Sequence, residues 1–267
     1  MTGTPGLRPT PILMYHQVTP APVASFAKYT VSARAFAAQM QWLALAGYTP
    51  VTLGMLLDGW SGRGALPPRP VVITFDDGYR DCIDFAVPSL LRHGFRAVFY
   101  LVAGLVGQSS RWTLPICGVA FPLMDWAAVR SLMEAGMECG AHTMTHPALA
   151  ERPATEWHQE LVESRQLLEQ RLGREVRHLA YPFGSVDASV RAAAEQSGYV
   201  SACTTEKGLA VFSDDRLMLR RVPVYGTDSL LDFVCRLRTA ETARQVFRRT
   251  IPPRALVLYR KLRGGTP

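Results

Sequence analysis

Short apolar runs alternate with amphipathic stretches along most of this chain. Runs rich in branched and aromatic residues, too short to be buried helices, lie near 11–15, 48–51, 71–75, 96–101, 137–141, 178–182, 199–203 and 219–224, and each predicts a strand. Helical spacing fills the intervals. Ser32 can cap a helix running to about Ala46, a second runs from about Tyr79 to His93 with a kink at Pro88, and others cover about 125–135, 154–172 and 187–197. Strict alternation of strand and helix predicts a parallel sheet, open or closed into a barrel. No Gly-x-Gly-x-x-Gly follows the first strand, which removes the main support for a dinucleotide-binding fold. A chain of 267 residues suits one barrel domain. Of the loops at 61–70 and 103–122, the second is long enough to wall a substrate groove.

Chemistry collects where these strands end. The run Val71-Val72-Ile73-Thr74-Phe75 stops at Asp76, Asp77 and Gly78, and charge at the end of a buried strand is costly unless a cation or a reaction requires it. About 65 residues on, His142 and His146 stand four apart with a small polar turn between them, so both can point at one atom. Two imidazoles and one carboxylate make three protein ligands, and a zinc site of that kind keeps a fourth position open for catalysis. The second carboxylate is then free to act as a base. Adjacent strand residues face opposite ways, so Asp76 and Asp77 can share a site only if the backbone turns, and Gly78 permits that turn.

Thr74-Phe75-Asp76-Asp77-Gly78 and His142-Thr143-x-x-His146 resemble the first two signature motifs of the polysaccharide deacetylases of carbohydrate esterase family four. The resemblance implies a distorted (β/α)7-8 barrel, with Asp76 as general base and Asp77, His142 and His146 as ligands of a divalent metal, zinc first, with cobalt or nickel as alternatives. The family's Arg-x-Pro-Tyr is similar to Ala180-Tyr181-Pro182-Phe183-Gly184, which assigns Tyr181, Pro182 and Phe183 to the substrate and oxyanion side, but Ala180 stands where the arginine should be. Leu219-Arg220-Arg221-Val222-Pro223-Val224 looks like the Leu-x-Arg-Ile-x-Val segment of a branch lacking that arginine, and makes Arg221 the replacement that orients the base. No histidine follows His178, so the family's C-terminal Leu-x-His is absent. Pro11-Ile12-Leu13-Met14-Tyr15-His16 instead resembles the start of the circularly permuted branch acting on exopolysaccharide, where the last barrel strand has moved to the front and His16 is the acid. The implied activity is removal of the N-acetyl group from an amino sugar in a polysaccharide or lipid-linked saccharide. Hydrolysis of a formyl or other linear or cyclic amide, and a non-catalytic carbohydrate-binding barrel that keeps its metal, are the alternatives.

Charge is uneven. From residue 236 onward there are nine basic residues and one acid, whereas the preceding 235 carry 20 basic and 21 acidic side chains. This divides the chain into a deacetylase-like barrel over 1–235 and a basic tail over 236–267. Arginines interleaved with apolar residues in that tail suit an anionic membrane surface, and the absence of a fold-specific reader motif argues against nucleic acid. The first residues carry no basic stretch followed by an apolar core, so the expectation is a cytoplasmic protein whose tail rests on the inner face of the membrane. Five scattered cysteines without a Cys-x-x-Cys pair argue against a disulfide framework and for a reducing compartment. Cys139 reads as core. His93, His158 and His178 read as surface or helix-end residues, and Trp112, Trp126 and Phe121 as packing or sugar-stacking rings.

Overall fold

In a computed structural model, which describes residues 8–250, the apolar runs become strands β1 (Ile12–Tyr15), β2 (Gln17–Thr19), β3 (Thr30–Ser32), β4 (Thr49–Pro50), β5 (Pro70–Phe75), β6 (Val98–Leu101), β7 (Glu138–Ala141), β8 (His178–Ala180), β9 (Ser201–Lys207) and β10 (Leu219–Pro223). Seven of them close into a parallel barrel in the order β1, β10, β9, β8, β7, β6, β5, with β5 returning to pair with β1. The expected barrel is therefore present, with β4 pairing with the first residues of β5, Pro70 and Val71, and β2, among the described residues, pairing only with β3. β1 fills the gap between β5 and β10, in register Leu13 with Val222 and Leu13 with Ile73.

The helices follow their local chemistry. The Ser32 hydroxyl accepts from the Ala35 amide at 3.2 Å and starts the helix Ala33–Leu45. Pro88 gives a break rather than a kink: one helix ends at Phe85 and the next, Val87–Arg92, carries the proline in its first turn, where a missing N–H costs nothing. The stretch 154–172 is helical throughout but winds as a π-helix over His158–Glu163. Three helices of eight or more residues lie outside the sequence expectation: Leu53–Trp60, Ala243–Thr250 and, between them, Leu230–Thr239. The last opens with a capping box between Ser229 and Asp232. It runs across the 235/236 boundary, and Arg236 is buried and donates to Asp228 at 3.1 Å. Residues 251–267 of the basic tail lie outside the described residues, among which no helix is long and apolar enough to cross a membrane. The five cysteines are free, and Cys139 is buried in the core as expected.

Alternation along the strands sorts side chains into two cores. Leu13, Ile73, Phe75, Phe99, Ala141, Leu179 and Val222 face outward into the layer beneath the helices, whereas Ile12, Val72, Val98, Tyr100, Ala180, Cys203 and Leu219 fill the barrel interior. Gly140 is small because Tyr100 lies across it: a Cβ there would sit 2.6 Å from the ring.

The N-terminal end of the barrel is plugged by polar groups, which corrects the surface reading of His178. That histidine is buried; its Nδ1 lies 2.8 Å from the Ser201 hydroxyl and its Nε2 3.5 Å from Glu138. Glu138 in turn accepts from the Leu53 and Gly54 amides at 3.0 and 3.4 Å, capping the helix Leu53–Trp60. Burial pushes the Glu138 carboxyl up, but His178 and the two amides outweigh it and hold it below its ordinary 4.5. A depressed carboxylate stabilises the fold above its unfolded pKa, and that contribution is lost as pH falls through the folded value. Glu138→Gln should therefore cost about 1–2 kcal/mol at neutral pH. Urea midpoints of variant and wild type should converge on acidification below 4.5; a gap of equal size throughout would contradict the assignment.

Candidate active site at the C-terminal ends of the strands

Thr74 and Asp76 continue the inward face of β5 beyond Val72, so alternation alone carries Asp76 into the mouth of the barrel. The chain then turns sharply. Asp77 and Gly78 both adopt left-handed backbone, φ 72° and 73°, and this brings Asp77 to the same side. Thr143, His146 and Phe183 are also left-handed, at φ 65°, 69° and 58°, so four of the five non-glycine residues of this kind among the described residues gather here. Each costs about 1–2 kcal/mol, which the surroundings must offset.

Glu160 does so for the histidine turn. One of its carboxylate oxygens accepts from the Met144 and Thr145 amides, both at 2.9 Å, and the other from the Thr145 hydroxyl at 2.6 Å. The His146 amide donates to the Thr143 hydroxyl at 3.0 Å. Glu160 is buried, comes from the π-helical segment, and was not marked by any motif. Glu160→Ala should weaken metal affinity by about 10–100-fold, as removal of groups that orient ligands does, measured by competition with a chromogenic chelator. Unchanged affinity would reduce Glu160 to a helix residue.

Asp77, His142 and His146 place one donor atom each within 4.8 Å of one another. Nε2 of His142 lies 3.3 Å and Nε2 of His146 3.1 Å from the same Asp77 oxygen. Ligands about 2.0–2.1 Å from a tetrahedral zinc are separated by roughly this edge length. The tautomer also fits. His142 Nδ1 is 2.7 Å from the Ala180 carbonyl, which can only accept, so Nδ1 carries the proton and Nε2 of the neutral ring aims a lone pair at a carboxylate oxygen. Two acceptors facing each other in a buried site need either a proton or a cation between them, and the donor set suits a divalent cation. Burial pushes the Asp77 carboxyl up, but the hydrogen bonds and charges of His142 and His146 hold it well below its ordinary range. Burial lowers both imidazoles; it prevails at His146, while at His142 the Asp77 hydrogen bond and the charges of Asp76 and Asp77 raise the ring's pKa instead.

Asp76 is held quite differently. Arg221, from β10, donates through both terminal nitrogens to its two carboxylate oxygens at 2.7 Å each, to the Thr74 hydroxyl at 3.1 Å, and through Nε to the Thr204 carbonyl at 2.8 Å. The arginine is fully buried inside the barrel, whose interior includes the small Ala180. Burial raises the Asp76 carboxyl, but Arg221, with His142 and His16, holds it below its ordinary range. Asp76 is thus kept ionised by contacts separate from the Asp77, His142 and His146 cluster.

A cavity of about 360 Å³ opens over these groups, lined by His16, Asp76, Asp77, His142, His146 and Phe183. His16 follows β1, and its ring packs against Tyr29 at 5.4 Å. Of the Tyr181-Pro182-Phe183 assignment, only Phe183 reaches the cavity. Tyr181 continues the outward face of Leu179, so its ring is buried in the outer core, and Pro182 is buried as well. Trp112, Thr113 and Ile116 from the 103–122 loop form part of the wall, as the length of that loop suggested. Trp112 stacks on the His146 ring at 4.1 Å and Phe183 meets the same ring edge-on at 4.7 Å. Phe121 packs on Phe26, and Trp126 lies beneath Arg171, so neither belongs to the cavity. Lys28, Tyr29, Lys207 and Tyr225 also line it, and no sequence pattern singled them out.

Comparison with known proteins gives one consistent result. Residues 63–202, just over half of the chain, match the polysaccharide deacetylase family. The Bacillus subtilis protein YxkH, which carries the polysaccharide deacetylase name, is 28% identical over 218 residues, covering 80% of this chain and 71% of its own. An Escherichia coli K12 protein named poly-β-1,6-N-acetyl-D-glucosamine N-deacetylase is 34% identical over 77 residues, 29% of this chain and 12% of that one. A crystal structure of the Bacillus anthracis protein BA0330, described as a polysaccharide deacetylase, superposes with a TM-score of 0.73 at 26% identity, covering 86% of this chain and 69% of the other.

Proposed function

Because this chain belongs to the polysaccharide deacetylase family, we propose that it is a metal-dependent hydrolase that removes the acetyl group from an N-acetylated amino sugar of a polysaccharide or lipid-linked saccharide. The observation that carries the reading is the pairing of two unlike aspartates: Asp77 converging with two imidazoles, and Asp76 kept ionised beside them by a buried arginine. A purely structural cation site has no need of the second. The name of the Escherichia coli relative supports an N-acetyl sugar as substrate.

Asp77, His142 and His146 would hold a divalent cation, which would supply Lewis acidity and favour water as a nucleophile near neutral pH. Asp76 takes the proton from the water that attacks the acetyl carbonyl. Arg221 fixes the orientation of the carboxylate and keeps it unprotonated beforehand. A backbone amide near Phe183, which lies in left-handed backbone at the cavity wall, would serve as oxyanion donor, a fixed dipole for charge that develops only during reaction. His16 protonates the departing amine, so acetate and a free amino sugar leave.

Purified protein should release acetate from N-acetylglucosamine oligomers, lose that activity to a chelator, and regain it with zinc, cobalt or nickel. Release unaffected by stripping the metal would refute the mechanism, and none from metal-loaded protein would refute the reaction.

A further inference from the structure

Two cations in the cavity have no counterpart in this chemistry. Lys28 and Lys207 both line it, and among the described residues neither forms an ion pair with an acid. The carboxylates that line the cavity with them are already matched, Asp76 with Arg221 and Asp77 with the two histidines, and Asp228, which accepts from the Tyr225 amide, is paired with Arg236. The lysine ammonium groups rest instead on aromatic faces. Lys28 Nζ lies 5.1 Å from the Tyr29 ring centroid and 5.3 Å from that of Tyr225, and Lys207 Nζ lies 5.9 Å from Tyr225. A contact of this kind is worth about 0.5–1 kcal/mol at an exposed site and uses none of the three N–H donors.

Their positions are fixed by backbone. The Gly226 amide donates to the Lys28 carbonyl at 3.1 Å, and a Cβ at Gly226 would sit 2.0 Å from the Thr30 carbonyl oxygen, so the 225–226 turn lies hard against the segment carrying Lys28. Lys207 ends β9 and is the register partner of Arg221 on β10. Two unmatched ammonium groups are therefore held around one tyrosine, in the same cavity as the reacting groups. Once a divalent cation is in place, each carboxylate in the cavity has its own partner and the lysines leave it with surplus positive charge.

We propose that Lys28 and Lys207, with Tyr29 and Tyr225, form an anion subsite, and that the accepted saccharide carries a phosphate as well as the N-acetyl group. This rests on the deacetylase reading and narrows its substrate class. Lysine suits a phosphate as a compact point charge, whereas planar carboxylate recognition favours the arginine fork.

The test is calorimetric binding to metal-loaded protein of N-acetylglucosamine 1-phosphate, its uncharged methyl glycoside and an N-acetylglucosaminyl uronate. Two charge-assisted contacts should make the phosphate ligand at least about tenfold tighter than the methyl glycoside, with the advantage shrinking as salt is added. In the Lys28→Gln/Lys207→Gln double variant, checked for metal content and melting temperature, that ratio should fall to near one. A ratio that survives in the variant would put the phosphate on the metal and overturn the proposal, as would no preference in the wild type; equal preference for the uronate would overturn the choice of phosphate. Acetate release from the same ligands separates the two ideas: a lysine-dependent preference without release leaves the subsite standing and removes the deacetylase assignment.

Discussion

Asp76→Asn should retain its metal and lose about 10²–10⁴-fold in acetate release, the usual contribution of a positioned general base. The substitution keeps the side chain's shape and one carbonyl acceptor for Arg221, but removes the one cavity carboxylate, among the described residues, that is not committed to the histidine cluster. Metal content by elemental analysis, read beside turnover, separates this from a ligand's behaviour: His142→Ala should lose both together. Near-normal turnover in Asp76→Asn would sink the assignment of the base.

The largest stability effect is expected at Arg221. Arg221→Met leaves the buried Asp76 carboxylate without its counter-ion and strands the Thr204 carbonyl, at a cost of about 3–5 kcal/mol, or roughly 10 °C of melting temperature for a domain of this size. Turnover should fall as well, because the carboxylate loses both its orientation and the charge holding its pKa down. Arg221→Lys should not rescue activity, since an ammonium cannot reproduce two parallel donors at 2.7 Å. The double variant Asp76→Asn/Arg221→Met is the decisive arm. With both charges gone it should be more stable than Arg221→Met alone, and additive losses would show that the pair is not energetically coupled.

Much of the fold was legible because barrel strands buried on both faces read as apolar runs, and all seven ring strands start within about two residues of where they were expected. The exceptions have local causes. The 48–51 run has only two residues paired, and only to one neighbour, so it stays outside the ring. Leu53–Trp60 is apolar on most sides and contains two glycines, which hides helical periodicity; its start signal, Thr52, was present but faint. The capping box at Ser229 is readable in the sequence, but its helix runs into the basic stretch from Arg236, which obscures the helical pattern. At the site, motifs identify groups that do chemistry but not those that hold them. Glu160 and His178 are single residues whose partners arrive from distant strands and helices, so no spacing rule reports them. Tyr181 could have been excluded by counting: it falls on the odd face of β8, with Leu179 and away from Ala180.

β1, which leads into His16, precedes every other strand of the ring, yet one of its two flanking strands, β10, is the last of the ring to leave the ribosome. Until residues 219–223 emerge, the strand that leads into His16 can be held along one edge only, and a nascent chain can contain Asp77, His142 and His146 while its barrel is still split open. Completion of the reaction centre is thereby tied to near-completion of translation of the barrel, and a polypeptide interrupted before β10 would lack Arg221 as well as the seam that closes over it.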